Sequence, residues 1–338
     1  MAFSNTYDVA NTGSAVSNRE DLTDVLTILA PEETPVLSSA QKQRAMATNT
    51  EWTVDSLSTP STAGIVEGAD VLVHTDQFAG RARMGNFTQK FRRDYKVSDL
   101  QEAVESVGPA RIAQAEAKAI RELKRDIEAT LCSANVKQQA TSTDPYKMTG
   151  LGGFIDSAAA DTTVPAGFKT PGSSIYTTAE AAAAGGAFSE TAFNDIISSI
   201  FEVNGVSNGL VLVADVGLRR VISDFARLST VSTETSIRNV NYDGGVAAIK
   251  LSVELYQSDH GVVSIVNANP DCMPNFGGTT ANSSGYLVNP EYYGVHELIP
   301  MGSTRQLNNG GGERGFVDCA LTLGVYHPQA HGLIQDVK

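Results

Sequence analysis

The pattern in this 338-residue chain that most resembles a reacting group is Gly205-Val206-Ser207-Asn208-Gly209. It fits the G-x-S-x-G turn, in which a strand leads into the serine and a helix leaves it, so that Oγ stands on a strained corner. Here the flanks read in the opposite order. A helical pattern over residues 190–203 precedes the motif and a strand pattern over 210–214 follows it. Gly205 then reads as the residue that caps a helix C-terminus. A cytosolic serine hydrolase acting through Ser207 stands as the rival from the enzyme class, and reaction with a fluorophosphonate probe would reveal it.

The other chemical spacings are weaker. His327 and His331 form an H-x-x-x-H pair, which brings two ring nitrogens together only on a helix. Pro328 lies between them and a strand pattern precedes them, so no helix face joins them. His74 with Asp76, and Asp318 with Cys319, lack the third ligand that a metal requires. Gly310-Gly311-Gly312 is followed by neither the Lys-Ser/Thr nor the helix of a phosphate loop, and reads as a hairpin tip. Asn86-Phe87-Thr88 and Asn282-Ser283-Ser284 fit the glycosylation pattern, which has meaning only in a secreted chain. The expectation is no catalytic site, no cofactor and no metal.

One charge feature remains. Arg81, Arg83, Lys90, Arg92, Arg93 and Lys96 crowd one strand-like limb and are opposed locally only by Asp94. In a chain with Lys+Arg 25, Asp+Glu 38 and a net charge of -13, such a limb could dock on the acidic surface of a neighbouring copy. An ordinary solvated strand face explains it equally well. The acidic total argues against tight, sequence-reading contact with nucleic acid, which rests on basic side chains.

These residues need elements to position them. A 41% hydrophobic content suffices for a core, and Gly 30 points to many turns. Cys132, Cys272 and Cys319 are scattered, as free thiols in a reducing cytoplasm would be. The first 16 residues lack the basic start and apolar run of a signal peptide, and no apolar run approaches the ~18 residues of a membrane span.

Residues 1–17 read as an extended arm, followed from Asn18 by a short helix with Leu22, Val25, Leu26 and Leu29 in phase, ended by Ala30-Pro31. Residues 46–97 read as a long projecting hairpin: one limb around Trp52, a loop-like middle from Ser58 to Asp70, and a return limb from Arg83 to Val97. Ser98 caps a helical stretch that reaches Val107, and Gly108-Pro109 interrupts it. Ile112, Ala115, Ala119, Leu123, Ile127 and Leu131 then make one apolar stripe, with Glu116, Lys118, Glu122, Lys124, Arg125 and Glu128 on the opposite side. About 25 residues give a rod of roughly 38 Å. Residues 135–188 read as an irregular insertion or surface loop. A helix over 190–203, a strand over 210–214, a helix over 216–228 and strands near 250–256 and 262–266 form a compact unit. Strands over 286–288, 292–298 and 316–326 close the chain. The fold class is α+β, with no internal repeat.

That order of parts resembles the Hong Kong 97 capsid fold of tailed-phage major capsid proteins, and in particular the group typified by phage SU10. The resemblance rests on Asn18-Arg19-Glu20-Asp21-Leu22, Pro35-Val36-Leu37-Ser38, residues 51–57, Glu67-Gly68, Gly85-Asn86-Phe87-Thr88-Gln89, residues 122–128, Asn289-Pro290-Glu291-Tyr292 and Ala330-His331-Gly332. It implies an N-terminal arm (1–45), an extended loop reaching over a neighbour (46–97) and a peripheral domain with a spine helix and an insertion at 135–188 (98–204). An axial domain (205–290) and a return to the peripheral domain (291–338) complete it. The implied function is a subunit that self-assembles through hexamers and pentamers into an icosahedral head around double-stranded DNA. Its partners would be further copies, the packaged DNA, the portal and scaffolding or decoration proteins, with no membrane; it would be made in the host bacterial cytoplasm and end in the virion capsid. Contact candidates are Trp52, Glu67, Arg81, Arg83, Lys90, Arg92 and Arg93. An encapsulin-type cellular compartment shares the fold class and is the nearer alternative. Two departures stand out. Between Glu51 and Gln89 there is no lysine for the Lys-Asn cross-link of the prototype, and the stretch before residue 18 leaves no room for a fused scaffolding segment.

Overall fold

The computed structural model describes residues 32–71, 74–78, 80–104, 111–155, 164–177, 188–205, 209–225, 240–243, 246–249, 254–273 and 283–337. The expectations for the arm, the helix from Asn18, the Gly108-Pro109 break, the run from Ala179 to Gly186 and Ser207 lie outside these residues. In chain order the helices are α1 (Pro35–Ser39), α2 (Asp99–Ala103), α3 (Arg111–Cys132), α4 (Leu151–Ile155), α5 (Glu190–Asn204) and α6 (Val216–Phe225). The strands are β1 (Gln41–Arg44), β2 (Asn49–Val54), β3 (Ala82–Phe87), β4 (Gln89–Val97), β5 (Ile175–Tyr176), β6 (Leu210–Ala214) and β7 (Val240–Asp243), then β8 (Val246–Ile249), β9 (Leu255–Ser258), β10 (Gly261–Asn267), β11 (Ser283–Val288), β12 (Tyr293–Gln306), β13 (Glu313–Val325) and β14 (Gly332–Val337).

Two sheets carry most of the chain. The first has the order β1-β12-β13-β4, built on the long antiparallel pair β12 and β13. Helix α3 lies across β13 and β4 because its stripe is apolar: Ala119, Leu123, Ile127 and Leu131 are buried, with Ile112 and Ala115 packed at the margin. At 22 residues it is about 33 Å long. The second sheet has the order β5-β14-β11-β6-β10-β9. Leu210, Leu212, Val263, Ile265 and Leu287 on one face pack with α5 and α6 through Phe193, Ile196, Ile197, Leu218 and Ile222. Alternation sends Val213, Tyr286 and Val288 to the other face, where they join the core that α3 and the first sheet share.

Local chemistry sets the helix ends. The Ser98 hydroxyl accepts from Gln101 N and the Ser189 hydroxyl from Ala192 N, and Gly205 closes α5 at φ 66° with its N–H on the Phe201 carbonyl. Gly310 (φ 93°) and Gly312 (φ 112°) turn the tip between β12 and β13, where the Asn308 side chain accepts from both of their N–H groups.

Three expectations change. The return limb of residues 83–97 is two strands: β3 pairs with β2 from Asn49↔Phe87 to Val54↔Ala82, whereas β4 leaves the hairpin and pairs with β13. The hinge is Thr88, buried, with its N–H on the Thr48 carbonyl. The described parts of residues 135–188 are no surface loop, because Met148, Leu151, Phe154, Ile155, Val164, Phe168 and Ile175 all lie in the first core. Glu128 is buried rather than on the solvated side of α3.

Candidate assembly surface

The hairpin is anchored at its base. Asn86, fully buried, donates through Nδ2 to the carbonyls of Thr149 (3.0 Å) and Leu323 (2.8 Å), and its Oδ1 accepts from Thr149 N (2.9 Å). One amide thus ties β3 to β13 and to the segment entering α4. Beside it, Lys137 Nζ donates to the Gly85 carbonyl at 2.9 Å. Trp52, an expected contact with a neighbour, packs inward with its ring centroid 6.1 Å from those of Phe154 and Tyr326. The indole is half-buried and packs against the chain's own core.

Beyond the ladder the hairpin is bare. Leu57, Ile65, Val66 and Val71 are 100, 88, 78 and 70% exposed. A turn holds the tip, with Ala69 N on the Val66 carbonyl and Gly68 at φ 82°. Glu67 sits on that turn, exposed.

The basic residues do not form one patch. Arg81 and Arg83 lie at the outer end of the β2/β3 ladder, where Arg81 pairs with Asp55 (2.7 Å) and covers the Phe78 ring, and Arg83 pairs with Glu51 (3.3 Å). The Arg81 hydrogen bond holds the Asp55 carboxyl below its usual range. Lys90, Arg92 and Arg93 lie on β4. Lys90 and Arg92 approach Asp318 at 3.0 and 3.6 Å, and Arg93 grips Asp126 of α3 through two bonds of 2.6 and 2.7 Å. All five cations therefore have acidic partners within the chain, so Asp94 is not their only local opposition. Exposed pairs of this kind contribute little, because water screens them and holding both side chains in place costs entropy.

Glu128 does what its sequence position concealed. Its two carboxylate oxygens accept from Val36 N and Leu37 N, each at 2.8 Å, so α3 holds the first turn of α1. Burial raises the Glu128 pKa, and the two backbone bonds pull it back only in part. The histidines are equally structural. His331 is buried, and its Nδ1 accepts from Asn289 N at 3.2 Å, linking the segment before β14 to the one that joins β11 to β12. Burial depresses its pKa to about 4 and lowers those of His296 and His327. Among the described residues no three His, Cys, Asp or Glu side chains converge on a metal position, and no helix is long and apolar enough to cross a membrane. The G-x-S-x-G segment runs from α5 through the Gly205 cap to β6, the reverse of a nucleophile elbow.

Comparison with known proteins agrees with this architecture. The chain aligns over 97% of its length with 99% of the capsid subunit of cyanophage A-1(L), at 15% identity and a TM-score of 0.63. The capsid subunit of cyanophage P-SCSP1u gives 0.60, again at 15% identity, covering 97% of this chain and 96% of that one. The SrpI encapsulin of Synechococcus elongatus gives 0.52 at 12% identity, covering 96% and 94%. The fold is therefore the Hong Kong 97-like capsid fold. No curated protein matches the sequence significantly. The model of the SU10 major capsid proteins matches residues 4–338, and the chain belongs to that family of phage major capsid proteins.

Proposed function

We propose that copies of this chain associate through hexamers and pentamers into an icosahedral head that encloses double-stranded DNA. The observation that carries the reading is the bare hairpin: its apolar side chains face water in the isolated chain, which is unfavourable, and a neighbouring copy would cover them. In this reading residues 1–45 are an arm and 46–97 the loop that reaches a neighbour. Residues 98–204 are a peripheral domain with α3 as its spine, 205–290 an axial domain at the capsomer centre, and 291–338 the return. These bounds follow the order of parts along the chain, and the second sheet also takes α5, β5 and β14 from the segments on either side of 205–290. Portal and scaffolding or decoration proteins would be the other partners, and assembly would take place in the host cytoplasm.

The chain works by assembly rather than catalysis. The absence of lysine between Glu51 and Gln89 favours non-covalent interlocking. Electron microscopy of the purified protein should show closed shells of uniform size, and denaturing gels of those shells a single monomer band. Monomers that persist at high concentration with scaffold supplied would sink the reading, a ladder of linked subunits would refute non-covalent locking, and fluorophosphonate labelling at Ser207 would reopen the hydrolase. An encapsulin-type compartment, favoured only by the shared fold, would contain a cargo enzyme instead of DNA.

A further inference from the structure

The exposed tip and one open groove carry matching chemistry. Between Asp55, paired to Arg81, and Arg81 itself, the excursion contains Glu67, Asp70 and Asp76 and neither lysine nor arginine. Its tip is therefore apolar and acidic: Ile65, Val66 and Val71 alternate with Glu67 and Asp70 around the Gly68 turn. This differs from the basic loop that the sequence suggested, because the cations lie on the β2/β3 ladder and on β4, not at the tip.

The complementary surface lies where β1 and β12 meet α3. A cavity of about 150 Å³ there is lined by the apolar Leu37, Ile299 and Met301 and by Lys42, Lys124 and Glu297. It adjoins a wider depression of about 480 Å³ that shares Lys42 and Glu297 and adds Arg44. Strand β1 is an edge strand, all four of its residues are exposed, and Ile299 is 43% exposed. Among the described residues Lys42, Arg44 and Lys124 have no acidic partner, unlike the five cations of the β2/β3 ladder and β4. Among the described residues neither the tip nor the groove is covered, and the two do not meet within one chain.

We propose that the tip turn of one copy docks in the groove of a second copy, with Ile65, Val66 and Val71 on Leu37, Ile299 and Met301, and Glu67 and Asp70 facing Lys42, Arg44 and Lys124. This rests on the shell reading above and names the receptor for its projecting loop. Apolar burial supplies the attraction, and the charges set which surface is chosen. Glu297 opposes an acidic loop, but three cations against its one carboxylate leave the groove positive.

Charge reversal tests it in full-length protein. E67K/D70K and, separately, K42E/K124E should each lower the yield of shells, read by sedimentation and electron microscopy, at least tenfold at physiological salt. Combining all four changes should restore at least half of the wild-type yield. Thermal melts should match wild type throughout, because all four side chains are exposed. A V66C/I299C variant should give disulfide-linked ladders on oxidation of its shells, since the native Cys132, Cys272 and Cys319 are buried. Unchanged yields after either reversal, no recovery in the combined variant, or shells that never cross-link would overturn the docking while leaving the capsid reading intact. Wild-type protein that forms no shells at all would overturn both.

Discussion

Replacing Asn86 with alanine strips partners from Thr149 N, Thr149 O and Leu323 O in a place that water does not reach. Each buried group left unpaired costs about 1–3 kcal/mol, so denaturant unfolding should show a loss of at least about 3 kcal/mol. Asn86→Asp should do no better, because a carboxylate would face two carbonyl oxygens. A loss under about 1 kcal/mol would show that the amide is not the anchor. His331 predicts a pH effect. Its folded pKa of about 4 lies below the ordinary 6.5, so the unfolded chain takes up a proton that the native core resists. Its contribution is present above pH 6.5 and is lost as pH falls from there through about 4, by on the order of 3 kcal/mol. His331→Gln should flatten the stability–pH slope in that window; an unchanged slope would assign the effect to other groups. Neither role was legible in sequence, where Asn86 read as a glycosylation pattern and His331 as half of a loose pair. Their partners lie 42 to 237 residues away. Glu128 was misread for a related reason: periodicity places it beside Leu131, at the border of the stripe, and only the two N–H groups of α1 make burial there favourable.

At the scale of elements, what is locally encoded was readable. The end of α5 at Gly205, strand β6 and the apolar stripe of α3 follow from capping, alternation and the 3.6-residue period, all contained in short windows. Strand partners are not contained in such windows. Residues 83–97 alternate as a single strand would, yet β3 and β4 belong to different sheets, because β13 supplies a longer buried partner for the second half. Residues 135–188 are rich in small residues and resemble a loop in composition, yet over 148–155 small residues allow close packing, as at Gly152 beneath the Tyr286 hydroxyl. The hairpin also separates folding from assembly. Replacing residues 57–78 with a two-residue turn removes a segment whose described residues are exposed while keeping the β2/β3 ladder. The unfolding free energy should change by less than about 1 kcal/mol, the range of surface changes, while shell formation is lost. Shells that still form would remove the loop from the assembly contacts, and collapse of the fold would show that the excursion belongs to the core.

For the molecule as a whole, assembly has to overcome charge. Each copy carries a net charge of -13, and shells gather many copies at close quarters. Near 10 mM salt the screening length is about 30 Å, comparable to a domain, so whole subunits repel one another; near 0.15 M it is about 8 Å, and only contacting groups still interact. At that salt the pairing of an acidic tip with a basic groove survives in part while the general repulsion is largely gone. Toward 1 M the screening length falls to about 3 Å and the charge pairs weaken, but the apolar contacts of the loop do not. The yield of shells should therefore rise from 10 mM to about 0.15 M and decline only modestly toward 1 M. The E67K/D70K variant should depend on salt in the opposite way at the upper end, improving toward 1 M as the like charges it places against Lys42 and Lys124 are screened. Yields that fall steadily from the lowest salt upward would mean that ion pairs, not apolar burial, hold the copies together, and that the net charge is too dispersed to matter.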